Sequence, residues 1–259
     1  RVLFRSTLII QEEKLNEICK SYVHEVKHRR KIQHKYMTLR GNLRIMSRIR
    51  PFLDRETSLS KKTYQEIVRI YHDSIIIETN KKRKYELDYV FDQGASQQAI
   101  YEEVSMLVNS MINETNVCVL AYGQTGTGKT YTIQGPSYEN PGIALRAANE
   151  LFKMSMENPK MHFKISMSII EIYNESVYNL LGKNTPEMTI YENSKGYVHI
   201  PDLHPVSIDS YSEAMKLCKL AAKLRISSQS PFNERSSRSH CIYTFYLSFI
   251  EEGETKYSK

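Results

Sequence analysis

Gly123-Gln124-Thr125-Gly126-Thr127-Gly128-Lys129-Thr130 is the stretch on which the fold turns. It fits the spacing GxxxxGK[ST], and phosphate chemistry needs these residue types. Glycines let backbone N–H groups turn inward around phosphate oxygens. Lys129 supplies a point charge for the β and γ phosphates, and Thr130 offers a hydroxyl to Mg²⁺. Val117–Tyr122 (VCVLAY) precedes the loop as a continuous apolar run, the composition of a buried strand. A helix-compatible segment follows, whose N-terminal end favours anions. A glycine-rich turn without a ligand is the plain alternative, and the strand–loop–helix context argues against it.

Outward from the loop, strands alternate with helices. Leu43–Ile49 reads as a short strand stopped by Pro51, and Ser74–Glu78 (SIIIE) as another, with a lysine-rich turn at Lys81-Lys82-Arg83-Lys84. Ser96 is placed to cap a helix with the apolar face Ile100, Val104, Leu107, Val108 and Met111. Phe163–Tyr173 reads as a long strand with Ile165, Met167 and Ile169 on one face; Glu213–Leu224 is helical; Cys241–Ile250 is β-branched and aromatic, as a strand should be. Such alternation implies an α/β sheet flanked by helices.

Residues 1–40 differ from this body. They contain no Pro or Gly, and Leu8, Leu15, Ile18, Tyr22, Ile32, Tyr36 and Leu39 recur near a heptad spacing, interrupted by Gln11, Glu25 and Arg29. This predicts a long helix, the end of a coiled coil weak in its middle, closed by Gly41-Asn42. Residues 1–44 hold 11 Lys+Arg and 4 Asp+Glu, whereas the remainder holds 25 of each, so the whole net charge of +7 sits on this segment. A basic arm on a neutral body points to a polyanion, among them nucleic acid, an acidic membrane or an acidic protein surface.

Composition excludes several classes. The apolar share of 41% and charged share of 25% are those of a folded chain. No apolar run approaches the roughly 18–20 residues of a membrane span, and the N-terminus (RVLFRSTLII) lacks a signal-peptide cleavage site. Cys19, Cys118, Cys218 and Cys241 form no CxxC pair, which fits reduced thiols better than a disulfide frame or zinc site.

A second polar cluster, Asn233-Glu234-Arg235-Ser236-Ser237-Arg238-Ser239-His240, is by itself an ordinary serine-rich loop. Beside a phosphate loop, its hydroxyls and arginine are the groups that a γ-phosphate sensor uses. A Ser239/His240 nucleophile pair is excluded, because neighbours on a strand point to opposite faces.

Together these residues resemble the kinesin motor family from about Gly41 onward. The resemblance rests on RIRP at Arg48–Pro51, FD at Phe91-Asp92, AYGQTGTGKTYT at Ala121–Thr132, EIYNESVYNLL at Glu171–Leu181 and NERSSRSH at Asn233–His240. It implies a P-loop NTPase fold of kinesin type, a mixed central sheet flanked by helices. A neck helix (residues 1–41) precedes an incomplete motor domain (residues 42–259). It implies ATP/ADP and Mg²⁺ as ligands. Arg48, Arg50 and Pro51 would border the adenine, with Tyr131 packing from the other side. Gly123, Gln124, Thr125, Gly126, Thr127, Gly128, Lys129 and Thr130 would hold the phosphates. Thr130 and Ser237 would lie near Mg²⁺, Asn233 and Ser236 near the γ-phosphate and its water, and Arg238 would pair with a glutamate of the second switch.

LRGNLRIMSRIRP at Leu39–Pro51 and AAKLRISS at Ala221–Ser228 resemble the C-terminal-motor class, kinesin-14, and its yeast karyogamy branch. That resemblance implies an ATPase driving minus-end-directed movement along microtubules. It also implies spindle or nuclear-fusion roles on cytoplasmic microtubules and a homo- or heterodimer joined by the N-terminal coiled coil. The partner is then tubulin, with no nucleic acid and no membrane. The alternative is a kinesin-like subunit that grips microtubules with little or no ATPase activity; such a subunit is expected to show a decayed loop, and here Lys129, Thr130, Ser236 and Ser237 are intact. The family continues past a strand like Cys241–Ile250 into a DLAGSE switch that the 259 residues do not include, so residues 1–259 alone are expected to be weakly stable and poorly active.

Overall fold

A computed structural model describes residues 2–39, 41–52, 68–78, 81–182, 187–227, 239–251 and 253–259. Two compact units result: residues 1–47 with 59–90, and residues 48–58 with 91–259.

The first unit holds the long helix α1 (Val2–Leu39). The chain leaves it at Gly41, whose φ of +86° and N–H bond to the Thr38 carbonyl (3.2 Å) form the left-handed stop that Gly-Asn predicts. The apolar seam is open: Leu15, Ile18, Tyr22 and Leu39 are 60%, 65%, 64% and 78% exposed. A three-stranded antiparallel sheet, β2 (Val68–Ile70), β3 (Ser74–Glu78) and β4 (Lys82–Glu86), completes the unit. The expectation of a turn at Lys81–Lys84 is corrected here. Lys82, Arg83 and Lys84 pair with Glu78, Ile77 and Ile76, so the basic run is an exposed strand. Its lysines find carboxylates along the strand, Lys84 lying 3.0 Å from Glu86. Short β1 (Met46–Arg48) pairs with β5 (Tyr89–Phe91), trimming the strand expected over Leu43–Ile49 to three residues.

The second unit is built on a mixed-length antiparallel core. β6 (Lys164–Tyr173) and β12 (Ser239–Glu251) pair over ten residues, from Ser239↔Tyr173 to Ser248↔Lys164. β7 (Ser176–Asn179) and β8 (Glu187–Met188) extend the sheet on one side, β13 (Glu254–Ser258) on the other, and β11 (Val206–Ile208) pairs with β6. A separate small hairpin joins β9 (Tyr191–Glu192) to β10 (Val198–His199). Period-two alternation sorts the residues by face. Ile165, Met167 and Ile169 are buried with Leu247 and Phe249, whereas Ile242 and Ile250, on the opposite face, are each 41% exposed.

Helices cover the buried face. α2 (Gln97–Ser110) begins at Ser96, whose Oγ accepts from the Ala99 N–H (3.1 Å), as the capping pattern predicts. It packs on α4 (Ile143–Glu157), a helix the sequence reading did not single out. α4 packs in turn on α5 (Tyr211–Ser227), and α5 on β6 and β11.

The strand expected over Val117–Tyr122 is not formed, and the segment is not buried: Leu120 is 80% and Tyr122 94% exposed. A strand is defined by its neighbours, and the bond from the Val117 N–H to the Lys259 carbonyl (2.8 Å) is not continued into a ladder among the described residues.

Candidate functional site: the phosphate loop and the arginine beside it

The loop Gly123–Gly128 has the backbone its glycines were expected to permit. Gly126 and Gly128 lie at φ +82° and +97°, in the left-handed region that side chains disfavour. Space above Gly126 is open, with no atom within 4 Å of where a Cβ would stand. At Gly123 (φ +153°) a Cβ would come within 2.6 Å of Thr127 Oγ1, so the turn closes too tightly there for any larger residue. Thr127 donates through its hydroxyl to the Gln124 carbonyl (2.8 Å) and steadies the bend. Lys129 Nζ arches back over the loop and donates to the carbonyls of Gly123 and Gln124, each at 2.9 Å. Its ammonium thus rests on two backbone oxygens of the loop. The helix that follows, α3 (Lys129–Ile133), has five residues and buries none of them. Thr130 is exposed at its start.

Arg48 stands beside this loop. Its guanidinium lies 4.8 Å from the Tyr131 ring centroid, a cation–π arrangement. Nη1 donates to Thr132 Oγ1 (2.9 Å) and Gln97 Oε1 (3.2 Å). Gln97 returns a bond from Nε2 to the Tyr131 carbonyl (2.5 Å). Burial lowers the Arg48 pKa from its ordinary value, and Tyr131 opposes that shift. Arg48 and Tyr131, both expected at the adenine, are therefore in direct contact. Arg50 donates to the Pro51 carbonyl (3.1 Å), and Pro51 is exposed. Gln97 is a residue sequence reasoning missed. It is 2% exposed at the first turn of α2, and glutamine after a capping serine gives no signal in a single sequence.

Asn233, Ser236, Ser237 and Arg238 lie outside the described residues. The elements flanking them are described. α5 ends at Ser227, β12 starts at Ser239, and Arg225 holds both to β6: Nη2 donates to Ser239 Oγ (3.1 Å) and Nε to Glu171 Oε1 (3.2 Å). This ion pair is deeply buried, with side-chain exposures of 12% and 2%. Removing one partner of such a pair costs about 3–5 kcal/mol, because the other charge is left unpaired. Glu171 and Arg225 are 54 residues apart, beyond the reach of any spacing argument. Ser239 is half-buried and His240 exposed, so they do lie on opposite faces.

Among the described residues no group of three or more His, Cys, Asp or Glu is placed to hold a metal, and no helix is long and apolar enough to cross a membrane.

Residues 48–259 match the kinesin motor domain family, and the chain belongs to that family. Its relatives place it in the kinesin-14 class. Kinesin-like protein KIN-14B of Oryza sativa subsp. japonica is 32% identical over 238 residues, covering 88% of this chain and 28% of the relative. KIN-14A of the same plant is 34% identical over 244 residues, with coverage of 90% and 25%. KIN-14D of Arabidopsis thaliana is 32% identical over 247 residues, with coverage of 86% and 31%. The chain thus spans about three-tenths of the length of such relatives. Among solved structures it resembles the C-terminal motor and motor homology domain of Kar3Vik1 fused to a synthetic heterodimeric coiled coil. The TM-score is 0.85 and the identity 26%, over 99% of this chain and 69% of that one. A fast kinesin shares the fold, with TM-score 0.77 and 24% identity, over 83% and 63% of the two chains.

Proposed function

We propose that the protein to which this chain belongs hydrolyses ATP to move along microtubules, toward their minus ends, in spindle or nuclear-fusion work. The observation that carries this reading is the phosphate cradle. Gly126 and Gly128 take left-handed backbones, open space lies above Gly126, and Lys129 lies against the loop's own carbonyls. A bound β,γ-phosphate would exchange those neutral acceptors for charged ones, which form stronger bonds. A kinesin-fold subunit that has given up nucleotide has no need of Lys129 or of two glycines held at positive φ.

The residues fit the nucleotide. Arg48 and Tyr131 would flank the base, residues 123–130 the phosphates, with Thr130 and Ser237 as the magnesium ligands. When bound, Mg²⁺ neutralises phosphate charge and so favours transfer of the terminal phosphoryl group. The chain's own part is to hold the phosphates, to order the water through Asn233 and Ser236, and to exclude bulk solvent. Helix α1 would pair with a second helix through its open seam. The basic segment would favour the acidic tubulin surface.

Gliding of polarity-marked microtubules over the surface-bound full-length protein tests the proposal. ATP-dependent gliding with plus ends leading is expected, with turnover raised by microtubules. Tight microtubule binding without ATP turnover would establish the subunit reading instead, and plus-end-directed movement would refute the assigned direction.

A further inference from the structure

Helix α3 carries Lys129 and Thr130, yet five residues with no buried side chain cannot fix its own position. Its C-terminal end is fixed by Gln134. The Gln134 N–H bonds the Thr130 carbonyl (2.8 Å), its carbonyl accepts from Gly142 N–H (2.9 Å), and its side-chain amide donates to Tyr243 Oη. These two residues are 109 positions apart, so the bond joins separate elements of the fold.

Tyr243 sits on β12, which is laddered to β6 from Ser239 to Ser248, with Tyr243 opposite Ile169, a residue with no exposed surface. Ser239, Cys241 and Tyr243 share one face by strand alternation. The first of them is held by Arg225 at the end of α5. One strand is therefore tied at one point to the end of the helix that begins with Lys129 and Thr130, and at another to the helix that leads into residues 228–238. Burial raises the Tyr243 pKa above its usual value, so the phenol stays neutral throughout the physiological range.

We propose that Tyr243 is a positioning residue for the nucleotide site, acting through Gln134 to set where the phosphate-loop helix stands relative to β12. This rests on the nucleotide reading above. A phenol satisfied by a chance amide in the core is the rival account, and it predicts a change in stability alone.

The test is release of a fluorescent ADP analogue from the full-length protein, in wild type, Tyr243→Phe, Gln134→Leu and the double variant. Tyr243→Phe keeps the ring and its packing and removes only the hydroxyl. Each single variant is expected to speed release about fivefold, the weight of one neutral hydrogen bond. The double variant should be no faster than the quicker single one, because both remove the same link. A Tyr243→Phe rate within about twofold of wild type, whatever its Tm, overturns the proposal, as do effects that multiply in the double variant. Wild-type protein that does not bind the analogue at all overturns the nucleotide reading itself.

Discussion

Arg48 shows how much of a site depends on the neighbours of one side chain. Its guanidinium is partly buried against Tyr131, and Gln97 and Thr132 together hold it there. Gln97 spends both ends of its amide, accepting from Arg48 and donating to the Tyr131 carbonyl, and so locks the two sides of the expected base site together. Gln97→Leu removes one charge-assisted and one neutral bond and strands a buried guanidinium hydrogen. Affinity for a fluorescent ATP analogue is expected to fall about tenfold or more, with a lower urea midpoint. Gln97→Glu keeps the Arg48 partner, loses the donor, and should lie between. Unchanged affinity in Gln97→Leu would remove Arg48 and Tyr131 from the site. The loop was singled out by its glycine and lysine spacing, and Arg48 and Tyr131 by the resemblance of RIRP and GKTYT to the kinesin family; the structure brings those two side chains into contact. Gln97, Glu171 and Arg225 were not legible, since their roles arise from partners 34 to 54 residues away, and one sequence carries no record of such pairings.

At the scale of elements, periodicity proved a good guide where an element buries one face. The strands Ser74–Glu78 and Lys164–Tyr173 and the helix begun by Ser96 lie where their patterns put them. It was a poor guide where structure depends on an unseen neighbour. VCVLAY has the composition of a central strand, but its burial and pairing require strands on its flanks, and Leu120 and Tyr122 stand open. The lysine run misled for the opposite reason: charge resembles a turn, yet an edge strand welcomes lysines, which discourage pairing with other chains. Helix α1 can be tested by itself. Glu25 and Arg29 interrupt an apolar seam in which Leu15, Ile18, Tyr22, Ile32, Tyr36 and Leu39 are exposed. Replacing both with Leu in a peptide of residues 1–41 should raise helicity and its concentration dependence in circular dichroism, because apolar residues at those positions close the seam. Loss of association would contradict the seam assignment.

At the scale of the whole molecule, the second unit has one well-packed face and one that is packed only in part, around Ile170, Val177 and Met188. Leu247 and Phe249 are each 1% exposed, Ile242 and Ile250 are each 41% exposed, and the 117–122 segment lies bare beside Lys259. Solved relatives carry more chain than this one spans. Residues 1–259 expressed alone should therefore unfold at lower denaturant than the full-length protein, bind hydrophobic dyes, and show no microtubule-stimulated turnover. Kinesin-like turnover from this segment would contradict that expectation. The central claim, however, is that the loop at 123–130 holds a nucleotide, and it meets its sharpest test at Lys129. This residue gives its ammonium to two loop carbonyls that lie at or near the surface, so Lys129→Ala should cost only about 1 kcal/mol of stability. Titration of the fluorescent ATP analogue into full-length wild type and Lys129→Ala is the decisive measurement. Affinity should fall at least a hundredfold in the variant while its Tm stays within a few degrees of wild type; equal affinity in the two proteins would contradict the account.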